Sequence, residues 1–225
     1  MVTKIEKKEL MEPDKLQTIF LNIRSFAEHY RTQIFIGTGV FVLMILLSGG
    51  WFLYNLNYET SAAKLYNHVM DTAGKSASPN ADVTSLQGYK DLITRYPKSD
   101  AALTAYYRLA NIYFSRREFD AAIGAYQEYL KRVDPKDDLI TLSYNGLGAC
   151  HEEKKDFNRA LEYYEKAIKT NTASSFEVMN YSNIARVYEA LNNSAKALEY
   201  YRKAQLKATD PLMTIYLKRK IAILG

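Results

Sequence analysis

The stretch Leu103–Asp134, LTAYYRLANIYFSRREFDAAIGAYQEYLKRVD, sets the pattern for the second half of the chain because it recurs at Thr141–Thr172 and Val178–Thr209. Each copy holds a large residue, an aliphatic residue, a small residue and another large residue at successive spacings of three, one and three. An alanine follows the small residue twelve positions later, and a tyrosine follows the alanine four positions after that. The first quartet is Tyr106, Leu109, Ala110 and Tyr113; the second is Tyr144, Leu147, Gly148 and His151; the third is Tyr181, Ile184, Ala185 and Tyr188.

Spacings of three and four place these side chains on one face of a helix, so each copy predicts two helices packed on each other. The small residues, Ala110, Gly148, Ala185, Ala122, Ala160 and Ala197, allow the two helices to cross closely. This pattern resembles the tetratricopeptide repeat. The resemblance implies an all-α solenoid with a concave groove lined by the first helix of each pair.

The flanks extend the same architecture. Tyr58–Pro97 resembles a degenerate fourth copy, in which Tyr89 and Pro97 fit, with Gly74–Asn80 (GKSASPN) as the connecting loop. Asp210 and Pro211 are typical of a helix start, and Leu212–Leu224 then predicts a final helix. Because a solenoid must hide its last apolar face, we expect this helix to be a cap.

The stretch Ile34–Tyr54, IFIGTGVFVLMILLSGGWFLY, carries no charge over 21 residues. As a helix it would be about 31 Å long, which matches the hydrocarbon core of a bilayer. A buried core helix and a cleaved signal peptide are the alternatives. The signal peptide is disfavoured because the 33 residues upstream include five acidic side chains, whereas such leaders are short and basic. We therefore predict an uncleaved membrane anchor.

This anchor divides the chain into an arm (1–33), a transmembrane helix (34–54) and a repeat domain (55–225). Three basic residues lie within 20 positions upstream of it, and Lys64 alone lies within 20 downstream, which favours a cytoplasmic arm and an exported repeat domain. In the arm, residues 1–12 are expected to be disordered. From Pro13 a helix with an apolar stripe between Leu16 and Tyr30 would lie at the membrane interface, dock on a partner, or simply continue the membrane helix.

Composition and motifs exclude several function classes. The net charge of +5 is spread without a dense basic block, which disfavours nucleic-acid binding, and the one cysteine, Cys150, excludes an internal disulfide. His29, His68 and His151 are scattered, and no helical pair of histidines or phosphate-binding glycine loop is present. We predict a protein that is not an enzyme and that needs no cofactor, metal or small-molecule substrate.

The groove itself predicts a site for a protein partner. Repeat positions 2, 5, 9 and 12 should line it, and those of the first copy include an aromatic residue at positions 5 and 12. The candidate partner-binding residues are Tyr107, Asn111, Phe114, Leu142, Asn145, Glu152, Met179, Ser182, Arg186 and Glu189. Exposed apolar groups there would favour binding of a protein segment, unless the anchoring or final helix covers them.

The order of segments is similar to the YfgM-like ancillary subunits of the SecYEG translocon. The most specific features are FAEHYRTQIFIG at Phe26–Gly37 and DPLMTIYLKRKIAIL at Asp210–Leu224. The resemblance implies a single-pass protein of the bacterial inner membrane, with periplasmic repeats that link the translocon to periplasmic chaperones. The alternative is another inner-membrane tetratricopeptide adaptor, for envelope assembly, cell division or respiratory-complex maturation.

Overall fold

The computed structural model describes residues 15–75, 81–170 and 172–225, and all regular elements in these ranges are helices, which confirms the all-α class. The predictions for residues 1–12, for Pro13 and for most of the loop 74–80 fall outside the described residues. The α-helices are α1 Lys15–His29, α2 Arg31–Lys75, α3 Ala81–Arg95, α4 Asp100–Ser115, α5 Phe119–Leu130, α6 Leu139–Glu153, α7 Phe157–Ile168, α8 Glu177–Ala190, α9 Ser194–Lys207 and α10 Pro211–Leu224. A single 3₁₀ turn, Ala173–Phe176, precedes α8.

The chain forms two units, residues 1–57 and residues 58–225. In the first unit, a turn at Tyr30 separates α1 from α2. The segment Arg31–Thr72 of α2 has a mean hydropathy of 2.0, and its most apolar part is not buried by the rest of the protein. This helix is therefore long and apolar enough to span a membrane.

Helix α2 differs from the sequence-based expectation in one respect. The apolar run Ile34–Tyr54 and the segment Tyr58–Ala73 were expected to be separate helices, whereas they form one helix of 45 residues that extends to Lys75. The physical reason is that the junction around Asn57 contains neither glycine nor proline and no capping pattern that would end a helix.

Three helix pairs, α4 with α5, α6 with α7 and α8 with α9, are the three full repeats. The six small residues at their crossings are fully buried, as the repeat pattern predicts. Each pair is joined by the same turn, in which a residue with a left-handed backbone follows the first helix: Arg117 (φ 62°), Lys155 (φ 59°) and Asn192 (φ 58°). In each turn the next amide donates back to the carbonyl five residues earlier, as in a Schellman motif.

The end of α2 and helix α3 pack ahead of the first full repeat. Ala62 and Val69 of α2 share a core with Tyr89 and Leu92 of α3, and this core continues into α4, α5 and α6. A Cβ atom built on Gly88 would lie 2.5 Å from a methyl group of Val69, so this glycine permits a close crossing. The degenerate copy thus packs like a repeat, with Gly88 as a small residue that the pattern did not assign.

Helix α10 closes the other end of the second unit. Asp210 caps it by accepting a hydrogen bond from the backbone amide of Met213 at 2.7 Å, and Pro211 occupies its first turn. Leu217 is fully buried against α8 and α9, with Ile221 and Leu224 beside it. The predicted capping helix is confirmed in its position. Its packing differs from the expectation that Leu212 and Ile215 would cover the last apolar face, because both are exposed and Leu217 makes the buried contact instead.

Candidate partner-binding groove

The aromatic candidates at the amino-terminal end of the groove are half-buried rather than free. The ring of Tyr107 lies 6.0 Å from that of Tyr126 and 5.9 Å from that of Tyr129, measured between centroids. Phe114 packs in the same way, 5.7 Å from Phe119. These two side chains therefore contribute to the core between α4 and α5 as well as to the groove surface.

Asn145 is not an open groove residue, which corrects the expectation for this position. It is only 6% exposed, and its amide nitrogen donates to the side-chain oxygen of Asn180 at 2.6 Å and to the carbonyl of Thr141. Its oxygen accepts a bond from Asn183 at 2.7 Å. A buried amide needs hydrogen-bond partners, and those of Asn145 are mainly Asn180 and Asn183 of α8. These bonds join the second repeat to the third.

Two more of the candidates, Glu152 and Arg186, bind each other. The guanidinium of Arg186 donates to both carboxylate oxygens of Glu152, at 2.6 and 2.8 Å. The hydroxyl of Tyr164, the fully buried tyrosine of the second repeat, donates to the same carboxylate at 2.8 Å. The hydrogen bonds that Arg186 donates to Glu152 are the main reason that the pKa of Arg186 is raised.

The same arrangement recurs one repeat later. Glu189 accepts a hydrogen bond from the hydroxyl of Tyr201 at 2.8 Å and from the ammonium of Lys220 at 2.8 and 3.0 Å. Burial alone would raise the pKa of Glu189, but the bonds from Lys220 and Tyr201 outweigh it and the pKa is lowered. We call these two clusters, Tyr164–Glu152–Arg186 and Tyr201–Glu189–Lys220, the ion ladder.

The junction between the first and second repeats lacks such a cluster. Phe114 and Ala149 stand where the ladder has its glutamate and its cation, so this junction cannot form the same ion pair. The equivalent tyrosine, Tyr126, donates instead to the side-chain oxygen of Asn111 at 2.6 Å. The candidate Asn111 is therefore also held within its own repeat.

A cavity of about 470 Å³ lies at the carboxyl-terminal end of the groove. Met179, Ser182 and Arg186 line it, together with Met213 and Tyr216 of α10. The hydroxyl oxygen of Ser182 is buried and has no hydrogen-bond partner among the described residues. The cavity thus combines apolar walls with one unused hydroxyl and one cation. Helix α10 forms one of its walls, so the expectation that the final helix covers groove positions holds for this end only in part.

Sequence reasoning missed the contribution of α10 to this cavity. A signal was present: if Leu212 is taken as a first repeat position, Met213 and Tyr216 fall at groove positions 2 and 5. Lys220 then falls at position 9, the position of Arg186 in the preceding repeat. The last helix therefore repeats the register of the first helices, and the pairing of Lys220 with Glu189 follows from that register.

Cys150 and His151 are packed in the interior of the second repeat. The described residues contain no cluster of three metal-ligating side chains. Cys150 is fully buried, and burial raises the pKa of its thiol to about 12. His151 stacks on Tyr163 with ring centroids 5.3 Å apart, and burial lowers its pKa.

Comparison with known proteins agrees with this architecture. Residues 102–173 and 139–205 match the tetratricopeptide-repeat family in two overlapping segments. A solved structure described as the crystal structure of MamA protein superposes with a TM-score of 0.56 at 17% identity, covering 72% of this chain and 81% of that one. A second MamA crystal structure gives a TM-score of 0.48 at 14% identity, covering 64% and 87% of the two chains. No curated protein matches the sequence.

At 17% identity the first of these structures supports the fold alone, whereas the family match is made on the sequence itself. The matched residues coincide with the helix pairs α4–α5, α6–α7 and α8–α9, with their buried small residues and recurring tyrosines. Such repeats bind other proteins. Residues 102–205 therefore match the tetratricopeptide-repeat family over slightly less than half of the chain, and repeats of this family are typical of scaffolds for protein–protein interaction.

Proposed function

We propose that this protein is a membrane-anchored scaffold that holds a segment of a partner protein in its groove, without catalysis. The observation that carries the proposal is the cavity between α8 and α10. Its methionine side chains, Met179 and Met213, are flexible enough to adapt to an apolar side chain of the partner. Val178 and Tyr216 extend the apolar lining beside them.

The charges near the cavity favour an apolar segment over an acidic tail. Arg186 is already bound by both oxygens of Glu152, so it does not offer a free cation to a carboxylate. At the other end of the groove, Tyr107 occupies the position at which tetratricopeptide domains that bind the carboxylate tail of a chaperone have a lysine. The segment that fits is therefore one with apolar anchors, which carry most of the energy in protein interfaces.

Met179→Glu in the full-length protein tests this function. A carboxylate in the apolar cavity should release the bound partner during purification from membranes, and the anchored, helical state should persist. Leu191→Glu is the matched control, because it places the same charge on an exposed residue that does not line the cavity. If Met179→Glu retains every partner that the wild type retains, the groove is not the binding surface. The pair Tyr107→Ala and Phe114→Ala is a poorer test, since both side chains pack on the core.

The anchoring part of the proposal is that residues 34–54 span the membrane and residues 55–225 lie outside the cytoplasm, on the periplasmic side of a bacterial inner membrane. The length and apolarity of α2 support the span, and the three-to-one bias of basic residues supports the orientation. Protease added to spheroplasts should degrade the repeat domain. Protection there, together with digestion in inverted vesicles, would reverse the orientation.

The resemblance of Phe26–Gly37 and Asp210–Leu224 to YfgM-like proteins further supports a role at the protein-export translocon, linking it to periplasmic chaperones. Site-specific crosslinking from the repeat domain in intact cells tests this role. Crosslinks to translocon subunits and to a chaperone would support it. Reproducible crosslinks only to another inner-membrane assembly would make the protein an adaptor for that assembly instead.

A further inference from the structure

Exposed apolar side chains are concentrated at one end of the second unit. Among its described residues, eight large hydrophobic side chains are exposed, and six of them lie between residues 206 and 223. Leu206 is 84% exposed and Leu212 is 77% exposed, which are the two highest values in this unit. The other four are Met213, Ile215, Tyr216 and Ile223. A soluble surface rarely gathers so many, and such concentrations are typical of interaction sites.

Helix α10 presents most of these side chains on the side opposite to its core contacts. Leu217 is fully buried, and residues at helical spacing from it pack with it against α9. Leu212, Ile215 and Ile223 are 77%, 63% and 68% exposed, and they recur at the spacing that defines the other side of the helix. We define the α10 outer face as Leu212, Ile215 and Ile223 with the intervening Lys218 and Arg219.

The same end of the molecule carries the chain's excess of positive charge. Residues 191–225 hold seven basic and two acidic side chains, an excess of five that equals the net charge of +5 of the whole protein. Both acids are engaged: Glu199 pairs with Lys203, and Asp210 caps α10. Lys218 and Arg219 are exposed, and neither has an ion pair among the described residues. The outer face is therefore apolar and cationic, with no acid to neutralise it.

A further helix packed as closely as in the repeats does not fit this face. In the register of the repeats, Arg219 stands at the position that Ala110, Gly148 and Ala185 occupy, where a small side chain lets the second helix approach. A long cation there separates the two axes, but it can reach a phosphate while its methylene groups stay among apolar neighbours. Apolar residues flanked by cations are typical of helices that lie on anionic membranes.

We propose that the α10 outer face docks on an anionic lipid surface. Leu212, Ile215 and Ile223 enter the boundary between headgroups and acyl chains, and Lys218 and Arg219 bind lipid phosphates. The inference rests on the anchored state proposed above, because a tethered domain meets the bilayer at high effective concentration and needs only modest affinity. It adds a second membrane contact, independent of the protein segment that occupies the groove.

The test uses the full-length chain, one copy per lipid nanodisc, with an environment-sensitive fluorophore on Ala222→Cys. Ala222 is exposed beside the outer face, whereas Cys150 is buried, so the wild type serves as the control for labelling. In discs that contain anionic lipid, the emission should shift to shorter wavelength, and a lipid-borne quencher should reach the fluorophore. Discs of zwitterionic lipid alone should not.

Lys218→Ser/Arg219→Ser should reduce the ratio of docked to undocked protein by roughly thirtyfold, since the attraction of two basic residues to an anionic surface together amounts to a factor of about that size. Lys98→Ser/Lys136→Ser removes two exposed charges elsewhere and should leave the shift unchanged. Co-elution of the chain with discs reports the anchor separately from the label. Equal spectra in both lipids, or an anionic shift that survives Lys218→Ser/Arg219→Ser, would overturn the proposal. So would a shift that requires an added protein, because the occupant would then be a polypeptide.

Discussion

Replacing Gly148 by alanine is the sharpest test of how the repeats pack. A Cβ atom at this position would lie 2.5 Å, 2.6 Å and 2.8 Å from Cε1, Cδ1 and Cζ of Tyr164, far inside normal contact. The ring cannot easily move away, because Tyr164 is fully buried and its hydroxyl is bonded to Glu152. Either the helices α6 and α7 separate, or the tyrosine leaves the ion ladder.

The size of the effect follows from three contributions. Overpacking of this kind costs about 1–3 kcal/mol, and losing the hydroxyl bond would add about 1 kcal/mol. Against this, alanine in a helix interior is favoured over glycine by about 1 kcal/mol. We expect Gly148→Ala to destabilise the repeats by about 1–3 kcal/mol. At roughly 2–4 °C per kcal/mol, the midpoint of thermal unfolding should fall by several degrees.

The chain offers a matched control at Gly124, a helical glycine of α5. A Cβ atom there would meet nothing within 4 Å, so Gly124→Ala should gain the helix preference alone and raise the midpoint. Circular dichroism of the detergent-solubilised full-length protein measures both variants. If Gly148→Ala is as stable as Gly124→Ala, the close crossing of α6 and α7 is wrong.

Three further predictions concern single residues of the repeats. Glu152→Gln should lower the free energy of unfolding by about 1 kcal/mol, a modest loss because Arg186 is half exposed and its ion pair with Glu152 is partly screened by solvent. An unchanged free energy of unfolding would show that this ion pair adds no stability. Burial lowers the folded pKa of His151, so stability should be complete above the unfolded pKa of about 6.5 and decline as the pH falls below it. His151→Tyr should remove that decline in urea titrations between about pH 7 and 5, and an identical pH profile would contradict the assignment. Lys155→Gly should raise the free energy of unfolding by about 1 kcal/mol, since glycine adopts φ 59° without strain. A lower free energy of unfolding would mean that the contacts of the lysine side chain stabilise the fold by more than the backbone strain costs.

Much of the fold could be predicted because the same spacing of large and small residues occurs in three copies. The small residues at the crossings and the tyrosines at repeat position 24 follow from spacing alone, and all are buried. The continuous helix α2 was harder to predict, because the composition changes from apolar to amphipathic while nothing in the backbone signals an end. The close contact at Gly88 was also missed, since the small-residue pattern that identifies the other crossings is incomplete in this degenerate copy.

The groove could be predicted only as a set of positions. Spacing identifies which residues of α4, α6 and α8 share a face, but it does not say which of them bind one another. Asn145 was expected to meet a partner, and its burial depends on Asn180 and Asn183 in the next repeat, beyond the range of helical periodicity. Glu152 and Arg186 likewise lie 34 residues apart, and their pairing requires the register between repeats.

The ion ladder also has a consequence for how the second unit opens. Each glutamate of the ladder keeps its cationic partner only while the following helix stays in place. Release of α10 leaves Glu189 without Lys220, and release of α8 leaves Glu152 without Arg186. The second repeat, the third repeat and α10 should therefore exchange their amide hydrogens as one cooperative block. The first repeat is joined to the second by apolar contacts and by two surface ion pairs, Arg117 with Glu153 and Asp120 with Lys154. Neither pair belongs to the ladder, so the first repeat can open without breaking an ion pair of the ladder. Hydrogen exchange should thus reveal a boundary between α5 and α6, in a chain whose repeats look alike.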